Sequence, residues 1–213
     1  MIKGILFDLD GVLVDSMPFH LKAWQSVFIE KGIDVDIRTL ALNEGRRSAE
    51  MAQTISENAG ITFNEIEIQD IVAKKRAYYR QIADIKFSPN ALETIQQIRQ
   101  RNKICAIVTS CNRKSLQTAI PKHKMDFFDY IITGEDIARG KPEPDPFLAA
   151  RDKLGLSSQE CVVVENAPLG IQAAKAAGMR CIAITSTLNK EDLIGADFIV
   201  DDISNIIPII DSI

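Results

Sequence analysis

The chain has no apolar run approaching the roughly 20 residues that a membrane-crossing helix requires, so no membrane association is expected. It has no basic block longer than Lys74-Lys75-Arg76, and its formal net charge is -4, a poor match for nucleic acid. The four cysteines form no CxxC pair. Cys105, Cys161 and Cys181 lie in apolar, strand-like runs, as buried reduced thiols of a cytoplasmic protein would. The opening "MIKGILFDLDG" has no charged leader, long apolar region and cleavage site, so no signal peptide is expected. Internal repeats and low-complexity stretches are also missing. What is present is ordinary for a folded chain: 213 residues, 46% hydrophobic and 25% charged. That length suits one medium domain, or a core with an insertion.

Short apolar runs stand out at "GILFDLD" (4–10), "ICAIVTS" (104–110), "CVVVEN" (161–166) and "RCIAITS" (180–186). "YIIT" (130–133) and "DFIVDD" (197–202) are shorter companions. Continuous β-branched runs of this kind suit strands buried on both faces of a parallel sheet. Helical patterns lie between them at 89–101, 145–156 and 168–179. The alternation predicts an α/β fold, a Rossmann-like doubly wound parallel sheet. Between Ser16 and Phe87 it stops, and only helical patterns follow one another. "FHLKAWQSVFIEKG" puts Leu21, Trp24 and Phe28 on one face, and "EIEIQDIVAKKRAYYRQI" carries Ile68, Val72 and Tyr79 on one stripe. Residues 1–15 and 88–213 should therefore form the core, with 16–87 an inserted all-helical cap.

Ligands of an open parallel sheet bind at the carboxyl ends of its strands, and polar residues gather at those ends here. Asp8 and Asp10 follow the first run, Thr109 and Ser110 the second, and Glu165 and Asn166 a third. Lys141 sits in the proline-bounded loop "GKPEPDPF". Taken singly, each could be a turn or helix-cap residue; in order, at successive strand ends, they describe one site. Two carboxylates on one side of a strand repel unless a proton or a cation intervenes. A hard divalent cation, Mg²⁺, meets that need and also accepts phosphate oxygens. A cation, a lysine, a hydroxyl and loop N–H groups around one carboxylate make a phosphoryl site, with Gly11, Ser110 and Cys111 beside the substrate. Asp8 can attack phosphorus in line. Asp10, if protonated, can donate to the leaving oxygen and later take a proton from water.

These residues resemble the haloacid dehalogenase superfamily, in its β-phosphoglucomutase and phosphoglycolate phosphatase-like branch with a helical cap. "FDLDGVLVDS", "VTS", "GKPEPDPF" and "VVVENAPLGIQAAKAAGM" are similar to its four motifs. The resemblance implies Asp8 as nucleophile, Asp10 as general acid/base, and Thr109 and Lys141 as holders of the transferring phosphoryl group. It implies Mg²⁺ at Asp8, the Asp10 carbonyl and position 166, with Glu165 beside them.

Most members of that branch have an acidic pair where this chain has Glu165-Asn166, so one negative charge is missing. Glu44 of "LNEGRRS" can compensate by reaching the cation from the cap; its alternative role is capping a helix, since acids favour the first turn. Mutases of the family carry lysine and arginine where this chain has Glu44 and Ser48. His20 matches the family's pattern, and Arg46, Arg47 and Arg76 complete the expected substrate contacts from the cap. "SMPFHLKAW", "NEGRR" and "ENAPLG" together resemble a subgroup acting on small phosphate compounds, including inorganic pyrophosphate. The expectation is a cytoplasmic, monomeric, Mg²⁺-dependent phosphohydrolase of a small phosphorylated metabolite or pyrophosphate. A phosphohexomutase, or a non-catalytic phosphate-binding protein, are the alternatives.

Overall fold

A computed structural model describes all 213 residues. Six parallel strands form one sheet in the order β3-β2-β1-β4-β5-β6. They are β1 (Gly4–Phe7), β2 (Ile104–Val108), β3 (Tyr130–Ile132), β4 (Cys161–Glu165), β5 (Arg180–Ile184) and β6 (Phe198–Val200). Every one of the apolar runs supplies a strand. Side chains alternate across β1 and β2: Leu6, Ala106 and Val108 face one cluster, while Ile5, Phe7, Cys105 and Ile107 face the other. Helices cover both faces, α5 (Ala91–Gln100) and α10 (Ile206–Ser212) on one, α8 (Asp145–Leu154) and α9 (Pro168–Ala176) on the other. Each large aliphatic side chain buried this way contributes roughly 1.5–3 kcal/mol.

Between β1 and α5 the chain forms only helices: α1 (Met17–Glu30), α2 (Ile37–Leu42), α3 (Ser48–Asn58) and α4 (Glu65–Ile82). Leu21, Trp24 and Phe28 of α1 face Ile68, Ile71 and Val72 of α4 in one apolar cluster, which continues onto a face of the sheet. The two chain crossings are paired with each other. Asp15 N–H donates to Lys86 O (2.9 Å) and Ser88 N–H to Leu13 O (2.9 Å). The short helices α2, α6 (Arg113–Ala119), α7 (Lys122–Met125) and α10 were not expected from the sequence.

The two edge strands are built alike. Asp129 stands before β3 and Asp197 before β6. Asp129 exchanges bonds with Cys105 of β2, N–H to carbonyl at 2.8 Å and carboxylate from N–H at 3.0 Å. Asp197 does the same with Cys181 of β5, at 2.9 and 2.8 Å. A cation from the helix that leads into the neighbouring strand holds each carboxylate: Arg99 of α5 on Asp129 (2.9 Å) and Lys175 of α9 on Asp197 (2.6 Å). All four cysteines are free thiols, three of them buried and Cys111 partly so. No helix is long and apolar enough to cross a membrane.

Candidate active site

The polar strand ends converge in one cleft between the sheet and the helical insert, a cavity of about 80 Å³. Asp8, Asp10, Thr109 and Asn166 line its floor, and His20, Glu44, Arg46 and Lys75 its insert side. A larger open hollow near Gln159, Lys175 and Arg180 lies at the opposite, amino-terminal end of the strands and holds none of these groups.

β1 ends at Phe7, one residue before the first carboxylate. Asp8 still extends the ladder through its N–H to Val164 O (2.9 Å), and the chain then turns, so Asp10 leaves the strand. The expected same-side strand geometry is thus replaced by a strand end and a turn that bring both carboxylates to one cleft. Gly11 makes the turn at φ +80°, and a methyl group there would come within 2.1 Å of Asn166 Nδ2. The N–H groups of Leu9 and Asp10 make no backbone hydrogen bond and are available to a ligand. Loop N–H groups are expected from the sequence, but which of them stay free leaves no trace in residue type.

Lys141, 1% exposed, is the pin of the site. Its ammonium bonds Asp8 Oδ1 at 2.5 Å and Glu165 Oε1 at 2.6 Å, and lies 5.2 Å from the centre of the Phe147 ring. Burial disfavours the ammonium, but the two carboxylates outweigh it and hold Lys141 charged, above its ordinary range. Burial also lifts Asp8, to about 7, against the lowering pull of Lys141. Glu165 has no free oxygen: Oε1 meets Lys141, and Oε2 accepts from the N–H groups of Asn166 (2.9 Å) and Ala167 (3.3 Å). Its carboxylate presses so closely on α9 that a methyl group on Gly170 would come within 1.7 Å of it. Glu165 was expected beside a metal ion; its geometry is that of a group that positions Lys141.

Asp10 is held differently. Ser16 Oγ donates to its Oδ1 (2.6 Å) and His20 Nε2 lies 3.3 Å away. Lys75 Nζ stands 2.6 Å from His20 Nδ1, which assigns the ring proton to Nε2, facing Asp10. Burial raises Asp10, yet His20, Ser16 and Lys75 together bring it to about 2, so it rests as a carboxylate. His20 also stacks on Tyr79 at 4.1 Å. Lys75 is wedged between Trp24 and Tyr79, 5.0 and 5.2 Å from the ring centres.

Lys75 replaces an expected residue. Arg76 was placed in the cleft from the stripe of α4, but it is exposed and lines no part of the cavity. The inward stripe runs Ile71, Lys75, Tyr79 at four-residue spacing, and Arg76 lies about 100° further round the helix. A lysine at a core-face register was the signal available in the sequence.

The other expected contacts divide. Arg46 lines the cleft and its Nε donates to Asn43 Oδ1 (3.3 Å). Arg47 does not line it; its guanidinium donates to Ile137 O (2.7 Å) and Gly134 O (3.3 Å), tying the insert to the loop before Lys141. Ser110 Oγ donates to Gly45 O (2.6 Å), a second tie across the cleft. Cys111 N–H donates to Thr109 Oγ1 (3.2 Å) and Gly11 N–H to Val14 O (2.8 Å), so neither is a free donor to substrate. Burial pushes the Cys111 thiol up to about 12, which keeps it from acting as a thiolate. Glu44 precedes α3 by four residues and does not cap it; Glu50 fills the first turn. Glu44 Oε1 is buried and has no hydrogen-bond partner.

The oxygen donors of the cleft fit a hard divalent cation. Glu44 Oε1 is orphaned, Asn166 Oδ1 accepts no bond within the chain, and Asp8 and Asp10 line the same cleft, although no three acidic side chains stand close enough to hold an ion by themselves.

A strand-end aspartate, a buried lysine and a helical insert over a parallel sheet are features shared with phosphatase-type hydrolases. Residues 5–184 match the haloacid dehalogenase-like hydrolase family. Hexitol phosphatase A of Escherichia coli is 34% identical over 90% of this chain and 89% of its own. Validoxylamine A 7'-phosphate phosphatase of Streptomyces hygroscopicus is 31% identical over 97% of this chain and 96% of its own. The crystal structure of a β-phosphoglucomutase from Clostridium difficile superposes with a TM-score of 0.85 at 26% identity, covering 100% of this chain and 96% of that one. The chain belongs to the haloacid dehalogenase-like hydrolase family, in its β-phosphoglucomutase-like branch, and is an enzyme of the phosphatase class.

Proposed function

We propose that the protein is a Mg²⁺-dependent phosphohydrolase that transfers the phosphoryl group of a small phosphate compound to Asp8 and then to water, with inorganic pyrophosphate the best-suited substrate. One observation carries the reading. Glu44 lines the insert side of the cleft and keeps a buried oxygen without a partner, in the same cleft as Asp8, Asp10 and the uncharged Asn166. A metal-directed carboxylate suits a substrate that brings its own strong metal chelation, and the narrow cavity suits a small one.

In this reading Asp8, Asn166, the Asp10 carbonyl and Glu44 would hold Mg²⁺, which when bound neutralises charge on the transferring group. Asp8 supplies the attacking oxygen. Lys141 fixes Asp8 and faces the same group with its positive charge, and Glu165 fixes Lys141. The Thr109 hydroxyl accepts from Cys111 N–H, so its own proton is free for a phosphoryl oxygen, as are the N–H groups of Leu9 and Asp10. As Asp8 bonds to phosphorus the bond to the leaving phosphate breaks, and that group departs without a proton from Asp10, which is held as a carboxylate by Ser16 and His20; Asp10 then takes a proton from the water that displaces Asp8 and releases phosphate. Helices α1–α4 act as a cap, residues 16–87 against a core of 1–15 and 88–213, and exclude bulk water on closing. The four free thiols suit a reducing, cytoplasmic setting.

A second reading, a phosphohexomutase, has the likeness to β-phosphoglucomutase and two cations, Arg46 and Lys75, on the insert side of the cleft. Phosphate release measured with Mg²⁺ over pyrophosphate, phosphoglycolate and sugar phosphates tests both. Pyrophosphate should have the highest kcat/KM. A value well below the others removes the pyrophosphate assignment, no release from any removes the hydrolase, and isomerised sugar phosphate in a coupled assay selects the mutase.

A further inference from the structure

A carboxylate offers a cation two equivalent oxygens, whereas a carboxamide offers one oxygen and one NH₂ and has to be turned the right way. Asn166 is 2% exposed and its Nδ2 donates to Thr187 Oγ1 at 3.0 Å. The same Nδ2 packs against Gly11, where there is no side chain. Its Oδ1 accepts nothing within the chain, and Asn166 lines the cleft with Asp8, Asp10 and Glu44. Thr187 comes from outside the expected constellation. It lies in the turn after β5, anchored by the buried Leu188. Glu165 and Ala183 are register partners in β4 and β5, which brings that turn beside position 166.

We propose that Thr187 is a positioning residue that fixes the amide of Asn166 with its oxygen toward the cleft, making an uncharged side chain competent as a cation ligand. The inference rests on the metal-dependent reading above. With the oxygen toward the cleft, the buried NH₂ needs an acceptor, and the Thr187 hydroxyl supplies it; without that hydroxyl this orientation leaves the NH₂ unpaired, and the flipped amide would aim two N–H groups at the cation. A carboxylate at 166 has no such need, because both of its ends are oxygen.

The test is Mn²⁺ affinity of the full chain without substrate, read from free Mn²⁺ by electron paramagnetic resonance, with thermal melts in chelator to show folding. Thr187→Val should raise the Kd roughly tenfold, as loss of an orienting partner does at other metal sites, and Thr187→Ser should restore it. In an Asn166→Asp background, Thr187→Val should change the Kd clearly less, since a carboxylate leaves no NH₂ without an acceptor. Should the valine variant not fold, Thr187→Ala carries the same comparison. An unchanged Kd in Thr187→Val, or an equal loss in both backgrounds, overturns the inference while leaving the metal site intact. A wild-type chain that binds no Mn²⁺ overturns the metal-dependent reading with it.

Discussion

The floor of the cleft and its insert side are built on opposite plans. On the floor, charges pin one another: Lys141 is buried against Asp8 and Glu165, and Glu165 is saturated by backbone donors. On the insert side, Glu44 keeps an unpartnered oxygen and Arg46 has one neighbour on its own segment. Polar ties cross to the core from Arg47, from Ser110, from the exposed Arg38 that meets Asp192, and from Ser16 and His20, which both hold Asp10. A pinned network costs little to reorganise during reaction, whereas loosely held groups adapt to what enters. In the proposed reading, chemistry thus belongs to the floor and selection to the insert.

Substitutions can break that division at several levels. Asp8→Asn should bring phosphate release to background with any substrate, since Asp8 supplies the attacking oxygen in the proposed mechanism; substantial retained turnover would refute covalent transfer. Lys141→Ala should leave two buried carboxylates facing each other and cost about 3–5 kcal/mol of stability, seen as a lower urea midpoint. Glu44→Gln tests the other plan. It should raise the Mg²⁺ concentration for half-maximal activity severalfold and leave the melting temperature unchanged. A fall in melting temperature with unchanged Mg²⁺ dependence would assign Glu44 to structure. Arg47→Ala should weaken closure, raising KM and lowering kcat together for every substrate, whereas a loss confined to one substrate class would mark Arg47 as a ligand contact.

The same two plans explain what the sequence disclosed. The strands of the floor are β-branched runs buried on both faces, and their polar ends fall where a parallel sheet places ligands, so Asp8, Asp10, Thr109, Lys141 and Asn166 could be picked out. The insert offers only helical periodicity, which locates a face to within a residue or so. Hence Arg76 was chosen where Lys75 faces inward, and Arg47 was grouped with Arg46 although it turns to core carbonyls. Thr187 carried no signal, because its role depends on a turn of β5 meeting the end of β4. The short helices α2, α6 and α7 are too brief to show a period, and Pro208 disguised α10, where it is tolerated in the first turn.

The smallest expected effect lies far from the cleft. Burial raises Asp197, but Lys175 and the N–H of Cys181 together hold its carboxyl below the usual range. Its stabilisation is therefore complete above the ordinary aspartate pKa and fades as pH falls through the depressed one. Asp197→Asn should flatten that part of the pH–stability curve by up to about 1 kcal/mol, as the pair is partly exposed.

Asp197 and Asp129 also bear on what happens when two molecules meet. The outermost strands are three residues long, and each is entered through a carboxylate that has already taken the first donor of its neighbour. A foreign strand seeking to extend the sheet would find only a three-residue ladder on either side. The twin aspartates, turned inward and neutralised by Arg99 and Lys175, hold those brief edges to the strands within.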